Sequence, residues 1–159
     1  MQALVIGGTG PTGPFIVNGL LARGWRVEIL HTGRHEVDEI PPQVGHIHVS
    51  PHDPAALAAA LGDRRWDLCI ATYGRLRAIA EVFAGRVGRF ISVGGGPAYL
   101  GYMNPFLHHP EGLPAPLAED APLVTDPTQD EKGFRVARTE EAVFRHHPDA
   151  THFRYPFVY

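Results

Sequence analysis

An apolar run, Ala3-Leu4-Val5-Ile6, passes directly into the turn Gly7-Gly8-Thr9-Gly10-Pro11-Thr12-Gly13, and an amphipathic stretch from Phe15 to Arg23 follows. A buried strand, a glycine-rich turn and a helix in immediate succession leave few folds open. The turn gathers backbone N–H groups and the positive end of a helix in one place, which makes it a site for a pyrophosphate. The spacing of Gly7, Gly10 and Gly13 gives each a separate task. The first permits the sharp exit from the strand, the second lets phosphate approach the backbone, and the third lets the helix pack close to the sheet. Pro11 and Pro14 suit a first helical turn, where N–H groups have no intrahelical acceptor.

Further along, strand and helix signals alternate. Strands are expected at Gln2–Ile6, Trp25–His31, Ile47–Ser50, Asp67–Thr72, Arg89–Val93 and Thr151–Tyr155. Helices are expected at Thr12–Arg23, from an N-cap at Asp53 to Leu61, and at Leu76–Ala84 and Glu131–His146. Short apolar strands between helices predict an α/β fold: a Rossmann-type, doubly wound parallel sheet with helices on both faces, over one domain, residues 1–159. Gly94 to Asp130 breaks the rhythm, being rich in Pro and Gly without a clear period. Loops of that length are usually functional, and this one leaves the fifth strand at the carboxyl edge of the sheet, where open α/β folds bind ligands.

Charge narrows the partners. The net charge of −3 offers no footprint for nucleic acid or anionic membrane, so a small-molecule substrate is expected. No segment reaches transmembrane length, and Met1-Gln2 run straight into the first strand; a cytoplasmic protein is expected. The single Cys69 sits in an apolar run and reads as a buried thiol. Ten histidines raise the question of a metal. His46 and His48 alternate on one strand face, and His108-His109 and His146-His147 are adjacent pairs, but no His-Glu-x-x-His or Cys-x-x-Cys spacing occurs, so no metal is expected.

The second strand speaks to the nucleotide. Sites that prefer NAD usually carry an acid at its end, bonded to the ribose 2′-OH. Here the strand ends Leu30-His31-Thr32-Gly33-Arg34, with Glu28 too early for that role. With no acid there and Arg34 nearby, a 2′-phosphate is better accommodated, so NADP is favoured, with NAD as the alternative and Thr32 and Arg34 as cofactor contacts.

Together these segments resemble the extended and atypical short-chain dehydrogenases, the NAD-dependent epimerase/dehydratase group, over essentially the whole chain. The glycine turn carries the resemblance, with Asp53 after the third strand, Ala71-Thr72-Tyr73 after the fourth and Ile91-Ser92-Val93-Gly94 at the fifth. Tyr99-Leu100-Gly101, Glu119-Asp120-Ala121-Pro122 and Arg154-Tyr155-Pro156-Phe157-Val158-Tyr159 extend it. The resemblance implies cofactor contacts at Gly7, Thr9, Gly10, Pro11, Thr12, Gly13, Asp53, Ala71, Thr72, Tyr73, Ser92, Tyr155 and Phe157. It implies a small carbonyl compound or nucleotide sugar as substrate.

The same resemblance breaks where proton transfer belongs. The family's Tyr-x-x-x-Lys falls on Phe134-Arg135-Val136-Ala137-Arg138. Phe134 has no proton to give, while Arg138 keeps the charge and can hold ribose hydroxyls but does not lose a proton. Lys132 is the only lysine, and Thr128 stands four residues before it, so no other register restores the pair. Ser92, Tyr99 and Arg138 are the catalytic candidates, with Tyr73, Tyr102, His108 and His109 as other proton carriers. The alternative is a dinucleotide-binding sensor or regulatory protein without turnover. Family members continue well past this point, so the chain is expected to lack their C-terminal substrate region. If 159 residues are the whole, a second subunit of a homo-oligomer would be needed to close a pocket.

Overall fold

The computed structural model describes residues 1–156. Its elements in chain order are β1 (Gln2–Ile6), α1 (Gly13–Ala22), β2 (Arg26–His31), β3 (Gly45–His48), α2 (Pro54–Leu61), β4 (Trp66–Ala71), α3 (Leu76–Phe83), β5 (Val87–Gly95), α4 (Glu131–His146) and β6 (Thr151–Tyr155). The sheet has six strands in the order β3-β2-β1-β4-β5-β6. β1 lies parallel between β2 and β4, β3 runs parallel to β2, and β5 runs parallel to β4. This is the doubly wound order, with its topological switch point between β1 and β4.

The pleat of β1 explains why the sheet is covered on both sides. Leu4 and Ile6 enter one cluster with Leu57 and Leu61 of α2 and Ile79 and Phe83 of α3. Val5 enters the opposite cluster with Val17 of α1, Val27 and Ile29. Alternate residues of one strand thus face helices on opposite sides, which a half-exposed strand does not permit. Cys69 is wholly buried in the first cluster, and burial pushes its thiol far above the usual range. Glu28 occupies the middle of β2. Its Oε2 accepts from Trp66 Nε1 at 2.6 Å and from Gln2 Nε2 at 2.9 Å.

Four strands differ from their expected bounds, β2 by a single residue at its start, β4 by a single residue at each end, and β3 and β5 by more. β3 begins at Gly45 and ends at His48 because Glu28 and Ile29 of β2 already pair with Gly45 and His46. β5 begins at Val87, which pairs with Trp66, and runs through Gly95.

The chain divides into two compact units. Met1–Ser92 with Val143–Thr151 forms one, containing the glycine turn. The other holds Val93–Ala142 and the residues after Thr151. Within it, the stretch from 94 to 130 carries the short 3-10 turns Gly96–Ala98 and Pro105–Leu107 and an antiparallel bridge between Tyr99 and Leu123. Asp130 opens α4, its Oδ1 accepting from Gly133 N at 2.7 Å.

Candidate functional site

The glycine turn is locked from inside the first unit. Gly7 adopts φ +88°, and a Cβ there would stand 2.8 Å from both Thr72 Oγ1 and Tyr73 Cβ. A Cβ on Gly13 would fall 1.9 Å from the Gly8 carbonyl oxygen, so only glycine lets α1 start this close to the strand exit. Short turns stitch the segment together: Gly10 N donates to Gly7 O at 3.1 Å and Gly13 N to Gly10 O at 2.9 Å. Gly10 is different. A Cβ on it would meet only Gly7 O, at 3.4 Å, an ordinary contact. Packing within the protein therefore does not require glycine at position 10, and its bare backbone faces open space.

That space is a cavity of about 330 Å³ lined by Gly7, Thr9, Gly10, Pro11, Thr12, His31, Thr32, His35, Thr72 and Tyr73. It lies beyond the carboxyl ends of β1, β2 and β4, the place where open parallel sheets bind ligands. A second hollow of about 560 Å³ shares Thr9, Gly10, Pro11 and His35 and continues along Pro14, Phe15 and Asn18. Helix α1 presents its N-terminus to this region, with Pro14 in the first turn and no acidic side chain there to compete with an anion. The residues fit the diphosphate of a dinucleotide: bare backbone at Gly10, a positive helix end and hydroxyl groups at Thr9, Thr12 and Thr32.

No family model and no curated protein matches the sequence. Solved structures do. WbmG of Bordetella bronchiseptica, crystallised with NAD, superposes with a TM-score of 0.72 at 15% identity, over 97% of this chain and 52% of its own. UDP-glucose 4-epimerase of Thermotoga maritima, crystallised with UDP-glucose, gives 0.74 at 18% identity, over 98% and 55%. Vestitone reductase of alfalfa (Medicago sativa) gives 0.68 at 18% identity, over 95% and 55%. The chain has the fold of these epimerases and reductases. It spans about half the length of each.

Within this epimerase-like fold, eight of the expected cofactor contacts line the cavity: Gly7, Thr9, Gly10, Pro11, Thr12, Thr32, Thr72 and Tyr73. Thr72 is held against the end of β1, with N and Oγ1 both donating to Ile6 O, at 3.1 and 2.9 Å. Tyr73 is exposed, its ring edge-on to His52 at 5.2 Å. Gly13 and Ala71 stand behind the lining as packing positions: Gly13 against Gly8, and Ala71 buried in β4 opposite Ile6 and Ser92. Ser92 itself is fully buried. Asp53 caps α2, its Oδ1 accepting from Ala55 N at 3.1 Å and Ala56 N at 3.0 Å. Arg34 is exposed between β2 and β3 and is not among the lining residues.

The remaining candidates belong to the second unit. Tyr99 is buried, and its hydroxyl accepts from Arg154 Nη1 at 2.7 Å. Arg154 also donates to the Glu119 carbonyl oxygen and to both oxygens of Glu140, and this carboxylate holds the guanidinium well above its usual range. Arg138 is ion-paired with Glu141, with its guanidinium 6.0 Å from the Phe134 ring centre. Tyr155 is half-exposed with Phe153 beside it, ring centres 6.3 Å apart. Phe157 lies outside the described residues.

Sequence reasoning passed over two lining residues, His31 and His35. His31 ends β2 and is buried, and burial holds its imidazole below the ordinary value against the opposing pull of Glu36. The signal was its place as the last strand residue, at the same edge as the glycine turn.

Proposed function

We propose that the chain binds a nicotinamide dinucleotide, with the diphosphate over Gly10 and the N-terminus of α1. The observation that carries this reading is the unfilled space over Gly10, where the protein's own packing leaves room for a side chain and none is present. Thr9 and Thr12 supply hydroxyl donors to the phosphates, and Thr72 and Tyr73 border the side toward β4. Among the described residues lining this cavity at the end of β2 there are His31, Thr32 and His35 and no carboxylate; Glu36 is engaged with the histidines, and Glu39 lines the adjoining hollow. This supports NADP(H) over NAD(H), with Arg34 turning onto the 2′-phosphate from its exposed loop.

When bound, the cofactor supplies hydride transfer to or from a small carbonyl compound or nucleotide sugar. In this reading Ser92 is the residue that bonds a substrate oxygen, Tyr99 the residue that carries the proton, and Asp53, Arg138 and Tyr155 are further cofactor contacts. Using Tyr99 and Arg138 in this way exchanges their present partners, Arg154 and Glu141. That cost favours a second reading, dinucleotide binding without turnover in a sensor or regulatory protein. General acid–base catalysis contributes about 10²–10⁴-fold, and a chain without Tyr-x-x-x-Lys lacks the usual source of it.

Titration of NADPH and NADH fluorescence with the protein tests the binding. The expected result is saturable NADPH binding, tighter than NADH and weakened by Gly10→Ala. Absence of saturation by either nucleotide would overturn the reading. Oxidation of bound NADPH by members of a carbonyl panel supports the enzyme, and tight binding with no oxidation supports the sensor.

A further inference from the structure

Four side chains converge beside the end of β2, in a constellation that linear spacing conceals. The parallel register sets His31 of β2 opposite His48 of β3, and His46 lies two residues back on the same strand. The loop between the strands then returns Glu36 to the group. His31 Nε2 stands 3.1 Å from His46 Nδ1, which is 3.3 Å from Glu36 Oε2. His48 Nε2 is 3.3 Å from Glu36 Oε1, and His31 Nε2 is 3.7 Å from the same oxygen. The three rings meet edge to face, centres 4.8–5.8 Å apart.

We propose that His31, Glu36, His46 and His48 form a tetrahedral site for a divalent transition-metal ion of the zinc type. Tetrahedral bonds of about 2.0–2.1 Å put neighbouring ligand atoms about 3.3–3.4 Å apart. The contacts of 3.1 Å between His31 and His46 and 3.3 Å between His48 and Glu36 Oε1 match that edge. His31 stands 3.7 Å from the same oxygen and His46 3.3 Å from its neighbour Oε2, and with one ligand atom from each residue all four lie within 4.8 Å of one another, so a turn of the Glu36 carboxylate closes the shell. Three imidazoles and one carboxylate suit zinc, and exclude the all-oxygen shell that calcium and magnesium prefer.

Binding through Nε2 puts the His31 ring proton on Nδ1 and gives up the long contact from Gly33 N, 3.3 Å. Gly33, at φ +74°, makes the turn after His31, and a Cβ there would press on the His48 ring at 3.3 Å. The site stands on these residues alone and does not depend on the nucleotide reading.

The test uses the untagged, EDTA-treated chain. Cobalt(II) titration should give one ion per chain with the intense visible absorption of a tetrahedral centre, displaced by zinc(II). Glu36→Gln, His46→Ala and His48→Ala should each weaken zinc binding, measured against a chromophoric chelator, by about tenfold or more. His52→Ala, an exposed histidine outside the group, should leave it unchanged. Circular dichroism in EDTA establishes that each variant is folded. His48 and Glu36, with side chains 55% and 51% exposed, keep the test open if His46→Ala fails to fold. Failure of the folded parent to bind one zinc ion, or equal affinity in a folded His48→Ala or Glu36→Gln variant, would overturn the proposal.

Discussion

Arg154 grips Glu140 with both edges of the fork: Nε reaches Oε2 at 2.7 Å and Nη2 reaches Oε1 at 2.6 Å. The pair joins β6 to α4 with side chains only 18% and 9% exposed, and removing one partner leaves the other charge buried. Arg154→Ala and Glu140→Gln should each destabilise the protein by about 3 kcal/mol, read as a lower denaturant midpoint at unchanged slope. The double variant should cost less than the sum of the two.

The glycines of the turn should separate stability from binding. Gly13→Ala drives a methyl group into the Gly8 carbonyl, with a loss of about 3 kcal/mol or failure to fold. Gly10→Ala should melt close to the parent temperature, because its methyl group meets nothing closer than 3.4 Å, and should bind NADPH at least about tenfold more weakly. Thermal melts and fluorescence titrations on the two variants check both halves.

Asp53→Ala should cost about 1 kcal/mol through loss of the α2 cap. Asp53→Asn keeps the acceptor oxygen for Ala55 and Ala56 and should retain most of that stability. Nucleotide titrations on the Asn variant then read any adenine contact separately from the cap.

His147 predicts a pH dependence. Its ring stacks on Phe90 at 4.2 Å, with Nε2–H donating to Ala80 O at 2.8 Å. Burial lowers its pKa, against the raising effect of the Ala80 bond. The unfolded chain therefore takes up the proton first as pH falls, and the stability present above about pH 6.5 is lost on descending through the folded value. Melting temperature should drop between about pH 7.5 and pH 5.5, and less steeply in His147→Gln, whose amide can still donate to Ala80.

What was legible in the sequence was local. The glycine turn, β1 and the Asp53 cap depend on residues within a few positions of each other, and their chemistry is written consecutively. The start of β3 was not legible, because pairing with Glu28 and Ile29 decides it. Nor was the meeting of His31 with His46, fifteen residues apart, which needs the parallel register and the returning loop. The partner of Tyr99 was not legible either: its hydroxyl accepts from an arginine 55 residues away.

The bond from Trp66 to Glu28 has a spectroscopic consequence. Trp66 is 4% exposed with its indole N–H tied down, and Trp25, the other tryptophan, belongs to the same unit. Indole emission therefore watches the unit that carries the glycine turn and leaves the other one dark. Far-ultraviolet ellipticity sees helices in both. A gap between the two melting curves would measure how independently the two halves come apart.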